Sequence, residues 1–332
     1  MELLTDVNIS IIIPTYNRKR ELQTLLHSLN SQTFPVSHCE IIVVDDGSSD
    51  GTSAWLLKHK DQYDGAVYLY TQEHSDPGTA RNRGMAQAKG AIFAFTDTDC
   101  IPQPEWLEHL TNPFRMEKVG AVGGSEIIKE SDPFLMRCLH YLMTASLTTG
   151  GLRGKKGAKL ARFYPRTFNM AISREAYQQT GGFKKMFYGE DIDLSYRIEQ
   201  EGFKLVYEDS ARVYHKRRNT VAQFVRQLFN MGKARVTLAR LHPGSLEPLH
   251  VLPTAALCLF VLLTCLAFFW KPVLPFFMAC CGVGVLFLIT LGVDASLKLH
   301  SFKAFFSVPF LFVSQQSAYG IGFITSLIRR TS

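Results

Sequence analysis

Asp97 and Asp99, in the run FTDTDC, are two carboxylates one residue apart at the end of the apolar stretch AIFAF. In extended chain, residues i and i+2 point to the same side. The two acids therefore stand together, repel each other, and require a cation or a set of hydrogen-bond donors. Asp45 and Asp46 form another pair, after the apolar run EIIVV. Glu190 and Asp191, in YGEDIDLSYRI, precede a helical apolar spacing, and a carboxylate at a helix N-terminus has an ordinary use as a cap. His215 ends the strand-like run ARVYH, where an imidazole serves either as a structural residue or as a metal ligand.

The elements that must position these groups alternate. NISIIIP is expected to form a buried strand, with Asn17 capping a helix over RKRELQTLLHSL. EIIVVDD, AVYLYTQE and AIFAFTDTD supply three further strands, and GTARNRGMAQAKG a helix closed by Gly90. This order predicts an α/β domain with a largely parallel sheet. Open parallel sheets bind ligands beyond the carboxyl ends of their strands, and Asp45, Asp46, Asp97 and Asp99 all fall at such ends.

Charge is unevenly placed in the 332 residues, whose formal net charge is +7. Residues 1–100 carry 8 basic and 13 acidic side chains, whereas residues 151–250 carry 19 basic and 9 acidic. An acidic half followed by a basic one suits a bound cation together with an anionic partner or membrane surface. The basic segment has no zinc-finger spacing and no aromatic RNA-binding signature, so no nucleic-acid partner is expected. The 7 cysteines show no paired framework. With no basic, apolar signal in MELLTDVN, reduced thiols in a cytoplasmic domain are expected.

Two uncharged apolar runs, 249–270 and 272–293, follow. Each would reach ~33 Å as a helix, against a hydrocarbon thickness of ~30 Å, and the tight Trp270-Lys271-Pro272 connection makes them a helical hairpin. A third apolar segment, 304–328, contains Pro309, Gln315 and Gln316 and either spans or re-enters the bilayer; a full crossing would put Arg329 and Arg330 on the side that the positive-inside tendency disfavours. Domains are therefore expected at 1–240 and 251–332, with a linker over 241–250 marked by Pro243 and Gly244. Residues 220–240 read as an amphipathic helix that lies on the membrane or packs on the first domain. The stretch 150–162, with Lys155, Lys156 and Lys159, reads as a mobile basic loop.

ISIIIPTYNR, IIVVDDGSSDGT, GTARNRGMAQAKG, FTDTDC and YGEDIDLSYRI, in this order over roughly residues 8–215, resemble the motifs of family 2 glycosyltransferases. The resemblance implies a GT-A, Rossmann-like fold and an inverting transfer from a nucleotide-sugar donor, a UDP-sugar before others, with Mg²⁺ or Mn²⁺ as cofactor. It assigns Asp99 to the metal, Asp97 to ribose and metal, and His215 to the metal. Pro14, Thr15, Tyr16 and Asn17 match the nucleoside-binding turn, Asp46 the acid that meets the base, and Arg81 a donor-facing position. For Tyr16 and Arg81, ordinary packing and a solvated helix charge are the alternatives. Asp191 matches the general base, which would take a proton from the acceptor hydroxyl; Asn169 and Glu190 fall toward the acceptor side. Gly181 and Gly182 suit a turn beneath the site and a helix C-cap equally.

The Gln-x-x-Arg-Trp motif of processive synthases is missing from FVRQLFNMGKAR, which favours transfer of one sugar. The reading is thus a multi-pass enzyme of the inner (plasma) membrane. Its catalytic domain faces the cytoplasm, and it acts on a lipid-linked or membrane-associated glycan among membrane lipids. A polyprenyl-phosphate glycosyltransferase, a nucleotidyltransferase and a non-catalytic membrane scaffold are the alternatives.

Overall fold

The computed structural model describes residues 9–149, 163–186, 188–216 and 220–329. In chain order the elements begin β1 (Ile9–Thr15), α1 (Lys19–Asn30), β2 (Cys39–Asp45), α2 (Thr52–His59), β3 (Ala66–Thr71), α3 (Pro77–Gln87) and β4 (Ile92–Thr96). They continue with β5 (Cys100–Pro102), α4 (Trp106–Thr111), β6 (Val119–Ile127), α5 (Phe134–Thr144) and α6 (Ser146–Thr149). Then come β7 (Asn169–Ser173), α7 (Arg174–Thr180), α8 (Glu190–Gln200) and β8 (Lys204–His215). The last four are α9 (Val221–Leu241), α10 (Pro248–Phe269), α11 (Leu274–Lys298) and α12 (Lys303–Ile328). The expected basic loop over 150–162, with Lys155, Lys156 and Lys159, lies outside the described residues, as does Arg330.

The chain forms two compact units. The first holds the strands, with α1 to α4, α7 and α8. Its single sheet of 8 strands has the order β3-β2-β1-β4-β7-β6-β8-β5. β3, β2, β1 and β4 run parallel, as expected. Beyond β4 the sheet is mixed, because β7 enters antiparallel to both β4 and β6. Alternation along β1 explains the two-sided core. Ile9, Ile11 and Ile13 pack with Leu22, Leu25 and Leu26 of α1 on one face. Ile12 packs with Ile42, Ala80 and Met85 on the other. Both faces are covered, so the parallel strands read as unbroken apolar runs rather than alternating ones.

The helix expected to close at Gly90 ends at Gln87, and Gly90 instead donates its amide to Ser10 Oγ at 2.9 Å. Its start was not foreseen: Asp76 is the N-cap, accepting from Thr79 N at 3.0 Å, and Pro77 fills the first turn, where a missing N–H costs nothing. Asn17 does not cap α1. It has a positive φ of 51°, and the residue in the cap position, Arg18, makes no side-chain cap bond.

The second unit contains α5, α6 and α9 to α12. It differs from the expected division at 241–250. α9 belongs to this unit because its buried Phe224 and Leu228 share a core with Val308, Leu311 and Ala318 of α12. The two helices touch backbone to backbone. A Cβ on Gly232 would stand 2.1 Å from Tyr319 O, and one on Gly322 would stand 2.0 Å from Phe229 O. Only residues without side-chain bulk permit such an approach. The expected linker is a short turn in which His242 and Ser245 are buried and Ser245 N donates to His242 O at 3.1 Å.

Among the described residues, α10 and α11 are the helices long and apolar enough to cross a membrane. α11 does not stop at the charge that ended the apolar run in the sequence. It continues through Asp294, whose carboxylate accepts from Lys298 Nζ at 2.9 Å and from the Tyr141 hydroxyl of α5. A paired acid is tolerated where a lone one would end the apolar segment. Arg137 Nη2 then donates to Leu299 O at 2.6 Å, satisfying a carbonyl just past the end of that helix. α12 is one continuous helix through Pro309, with Gln315 buried on its packed side.

Candidate active site

At the carboxyl ends of β1 and β2, Thr15 and Asp45 are paired in register. The neighbouring acids then divide their work. Asp45 belongs to its own turn, accepting from Ser48 N at 2.9 Å and from the Ser53 hydroxyl. Asp46 faces a cavity, and its carboxylate accepts from Gln72 Nε2 at 2.6 Å, His74 Nδ1 at 2.8 Å and Ser75 N at 3.1 Å. The His74 ring lies flat on Tyr16, with centroids 3.9 Å apart and planes inclined by 17°.

Asn17 is spent on the fold. Its Oδ1 accepts from Ser49 N at 2.7 Å, and its own amide donates to Ser48 Oγ at 2.8 Å. Asp50 completes the arrangement by accepting from Lys19 N at 3.0 Å and Thr52 N at 3.1 Å. The first turns of α1 and α2 thus share one carboxylate, which serves the capping use expected of Asn17.

Asp97 and Asp99 occupy the turn between β4 and β5, which is closed by Cys100 N donating to Asp97 O at 2.9 Å. Their partners differ. Asp97 Oδ1 accepts from Arg81 Nη2 at 2.7 Å, and Arg81 is only 2% exposed, which rules out a solvated helix charge. Arg81 Nη1 lies 3.6 Å from Glu190 Oε1. Burial works against its charge, but Asp97 and Glu190 outweigh it and hold the guanidinium firmly protonated.

Asp99 Oδ2 is 3.2 Å from Arg18 Nη1, and Oδ1 is 3.5 Å from His215 Nε2. Burial raises the Asp99 carboxyl, yet His215 and Arg18 more than offset this and keep it below the ordinary carboxylate range. His215 Nδ1 lies 3.3 Å from Glu126 Oε1. Burial lowers the imidazole, while Asp99 and Glu126 together raise it to about 9. A hard carboxylate oxygen facing an imidazole nitrogen, with a second carboxylate behind the ring, is a donor set that fits a divalent cation.

Gly189, with φ of 87°, is the cap residue of α8, and no side chain caps the helix. Asp191 Oδ1 nonetheless accepts from Ile192 N at 2.8 Å, so Asp191 serves the first turn of the helix as well, whereas capping does not account for Glu190. Asp191 Oδ2 lies 3.2 Å from Arg166 Nη1. Burial, reinforced by Asp191, raises Glu190 to about 7. The acid that the sequence reading passed over, Asp193, is fully buried and pairs with Arg197 Nη2 at 2.7 Å. Arg197 also donates to Thr180 O and Gly182 O. The i,i+4 spacing of Asp193 and Arg197 is the only trace of this clamp in the sequence.

Asn169 requires correction: it does not face an acceptor. It is 1% exposed, its Oδ1 accepts from Trp106 Nε1 at 2.8 Å, and its Nδ2 donates to Ser125 O at 2.9 Å and Ala211 O at 2.8 Å. Gly181 is the C-cap of α7, with φ of 75°.

A cavity of about 360 Å³ lies over the strand ends, lined by Pro14, Thr15, Tyr16, Asp46, Arg81, Asp97 and Asp99 among the expected residues. Arg18, His74 and Thr98 join them. Arg18 sits inside the TYNR motif; His74 is a loop residue with no signal of its own. Asn17, Asn169, Glu190, Asp191 and His215 do not line it, although Arg81 ties Glu190 to its wall.

With this geometry in place, comparison with known proteins is direct. The profile of the family described as glycosyl transferase family 2 matches residues 10–181, and the chain belongs to that family of transferase enzymes. The glycosyltransferase AglE of Haloferax volcanii is 28% identical over 245 residues, covering 74% of this chain and 78% of AglE. The pre-mycofactocin glycosyltransferase of Mycobacterium tuberculosis is 28% identical over 264 residues, covering 77% of this chain and 53% of that longer protein. Among solved structures, the mannosyltransferase PcManGT of Pyrobaculum calidifontis, in complex with GDP-Man and Mn²⁺, superposes with a TM-score of 0.65. It is 20% identical, and the match covers 98% of this chain and 88% of that one. The fold is that of a GT-A glycosyltransferase domain followed by C-terminal helices.

Proposed function

We propose that the chain is an inverting, metal-dependent glycosyltransferase. It moves one sugar from a nucleotide-diphosphate sugar to a hydroxyl of a lipid-linked or otherwise membrane-associated glycan. The observation that carries this reading is Arg81, a buried cation joining Asp97 at the cavity to Glu190 beside Asp191. It couples the acids expected at a donor to those expected at an acceptor. PcManGT with bound GDP-Man and Mn²⁺ supports a nucleotide-sugar donor and a divalent cation on this fold; a UDP-sugar is our first choice for this chain.

In this reading Tyr16 offers a flat face to the nucleoside. Asp46 receives the base, which must share or displace the hydrogen bond from His74. Asp97 is steered to the ribose by Arg81. Asp99 and His215 would hold the cation, with Asp97 beside them, and Glu126 fixes the imidazole. When bound, that cation supplies positive charge against the departing diphosphate. Asp191 accepts the acceptor hydroxyl's proton as that oxygen attacks the anomeric carbon from the face opposite the leaving group, so configuration inverts. Glu190, held toward its neutral form near pH 7, keeps the adjacent acids from carrying two charges at once.

α10 and α11 support membrane association; our reading assigns this to the inner membrane, with the catalytic unit on the cytoplasmic side. The decisive test has two parts. The full-length protein in detergent is screened against UDP-, GDP- and dTDP-sugars for binding and hydrolysis, with and without Mn²⁺. One donor class should respond, and only with the metal; no response to any class would remove the reading. Asp191→Asn then separates a hydroxyl acceptor from a polyprenyl phosphate. A phosphate is already ionised and needs no base, so undiminished transfer by this variant would favour the phosphate.

A further inference from the structure

Cys100 opens β5 directly opposite His215 in the antiparallel ladder with β8. Directly opposed residues put their side chains on one face, and Cys100 also follows Asp99 in the chain. One donor atom from each of Asp99, Cys100 and His215 lies within 4.8 Å of the others. Asp99 Oδ1 is 3.5 Å from His215 Nε2 and 3.9 Å from Cys100 Sγ. A tetrahedral zinc with bonds of about 2.0–2.3 Å needs donor-to-donor edges of roughly 3.3–3.6 Å. The two gaps at Asp99 exceed those edges by a few tenths of an ångström, and the Cys100–His215 gap, within 4.8 Å, closes by rotation of the two side chains.

We propose that Asp99, Cys100 and His215 form a three-ligand site for a thiophilic ion such as Zn²⁺ or Co²⁺, which competes with the cation of the donor site and inhibits the enzyme. This rests on the reading that Asp99 and His215 hold that cation. It adds a ligand that a hard ion has no use for: Mn²⁺ prefers oxygen donors, whereas zinc gains from sulfur and also stands above manganese in intrinsic affinity. Glu126, behind the His215 ring, supplies the outer partner that ligating histidines usually have. Binding replaces the Cys100 thiol proton with the metal, and the proton leaves to solvent. Four-coordinate zinc held by three protein ligands keeps one open position. A six-coordinate ion held by oxygens leaves several. The thiophilic ion therefore occupies the site without offering the diphosphate the same purchase. Among the described residues no other three such side chains converge, and loss of the band in Cys100→Ser separates this site from the exposed free thiols of Cys258, Cys265 and Cys280.

The test uses metal-free full-length protein in detergent, titrated with Co²⁺ alone and followed by absorption. The expected result is one equivalent bound with a thiolate-to-cobalt charge-transfer band, bleached by excess Mn²⁺ or by Zn²⁺. In Cys100→Ser the band is lost and Zn²⁺ affinity falls, while Mn²⁺ affinity, which draws on the oxygen and imidazole donors, is unchanged. If the variant fails to fold, the wild-type spectrum and its displacement by Mn²⁺ decide alone. Cobalt binding without the band, or a band that Mn²⁺ cannot displace, overturns the proposal. The underlying reading fails separately: it is lost if Asp99→Ala leaves Mn²⁺ binding intact, whatever the cobalt spectrum shows.

Discussion

Replacing Asn169 with Leu keeps the volume of the side chain and removes every polar atom from a buried junction. The loss is readable from its partners. Trp106 Nε1 loses its acceptor at 2.8 Å, and the carbonyls of Ser125 and Ala211 lose donors at 2.9 and 2.8 Å. A buried polar group left unpaired costs about 1–3 kcal/mol. Three of them, partly relaxed, give a destabilisation on the order of 3–5 kcal/mol. At about 2–4 °C per kcal/mol for a domain of this size, the melting temperature should fall by roughly 6–20 °C. Trp106→Phe alone leaves only Asn169 Oδ1 unpaired and should cost about 1–2 kcal/mol. Combined with Asn169→Leu it should cost less than the sum by about 1 kcal/mol, since the second change removes a donor the first has already orphaned. Thermal unfolding by calorimetry measures all three variants, with Mn²⁺-dependent nucleotide binding well below the transition as the control for an intact site. An unchanged melting temperature in Asn169→Leu, accompanied by a raised KM for the acceptor, would refute the structural assignment. It would return Asn169 to the acceptor side.

Asp99→Ala should abolish Mn²⁺-dependent nucleotide binding in titration calorimetry, because it removes the carboxylate that faces His215. Asp191→Asn should keep donor affinity and lose roughly 10²–10⁴-fold in transfer rate, as measured by single-turnover kinetics. Glu190 is raised from the ordinary 4.5 to about 7, so the folded state binds its proton more tightly than the unfolded chain does. Its contribution to stability is neutral below about pH 4.5, falls as pH rises toward 7, and is a constant cost above. Glu190→Gln should thus match the wild type at pH 4 and exceed it at pH 8 by up to about 3 kcal/mol in melting experiments; equal gains at both pH values would contradict the shift. Gly232→Val should unseat α9 from α12, since its first added carbon meets Tyr319 O at 2.1 Å. Loss of cooperative unfolding of the helical unit, measured by far-ultraviolet dichroism, checks it.

Much of the cavity wall over the strand ends was legible because its pattern is local. Parallel strands buried on both faces announce themselves as IIIP and IIVV, and acids at their ends must then meet over one crevice. Residue type and spacing alone could not separate Asp45 from Asp46, because one residue of register decides which carboxylate turns back to Ser48 and which faces the cavity; the family resemblance was what singled out Asp46. Asn17 was misjudged as a cap for a similar reason. Its left-handed backbone and its bonds to Ser48 and Ser49 depend on a loop more than 30 positions away. Asn169 lay in a suggestive motif, but its partners come from α4, β6 and β8, which no local pattern connects. In the helical unit, Asp294 ended an apolar run on paper. In the fold Lys298 and Tyr141 neutralise it, and Tyr141 stands 153 residues away.

The mutual hold between the turn after β1 and the turn after β2 bears on how this protein can change over generations. Surface loops ordinarily drift in length without penalty, each on its own. Here Asn17 grips Ser49, Ser48 grips Asn17, and Asp50 serves the starts of two helices. A residue added to or lost from either turn would leave the other reaching for absent partners. Inheritance should therefore treat the two segments as one unit, altered in matched steps or left alone, while insertions that tune the enzyme to new substrates collect elsewhere on the chain.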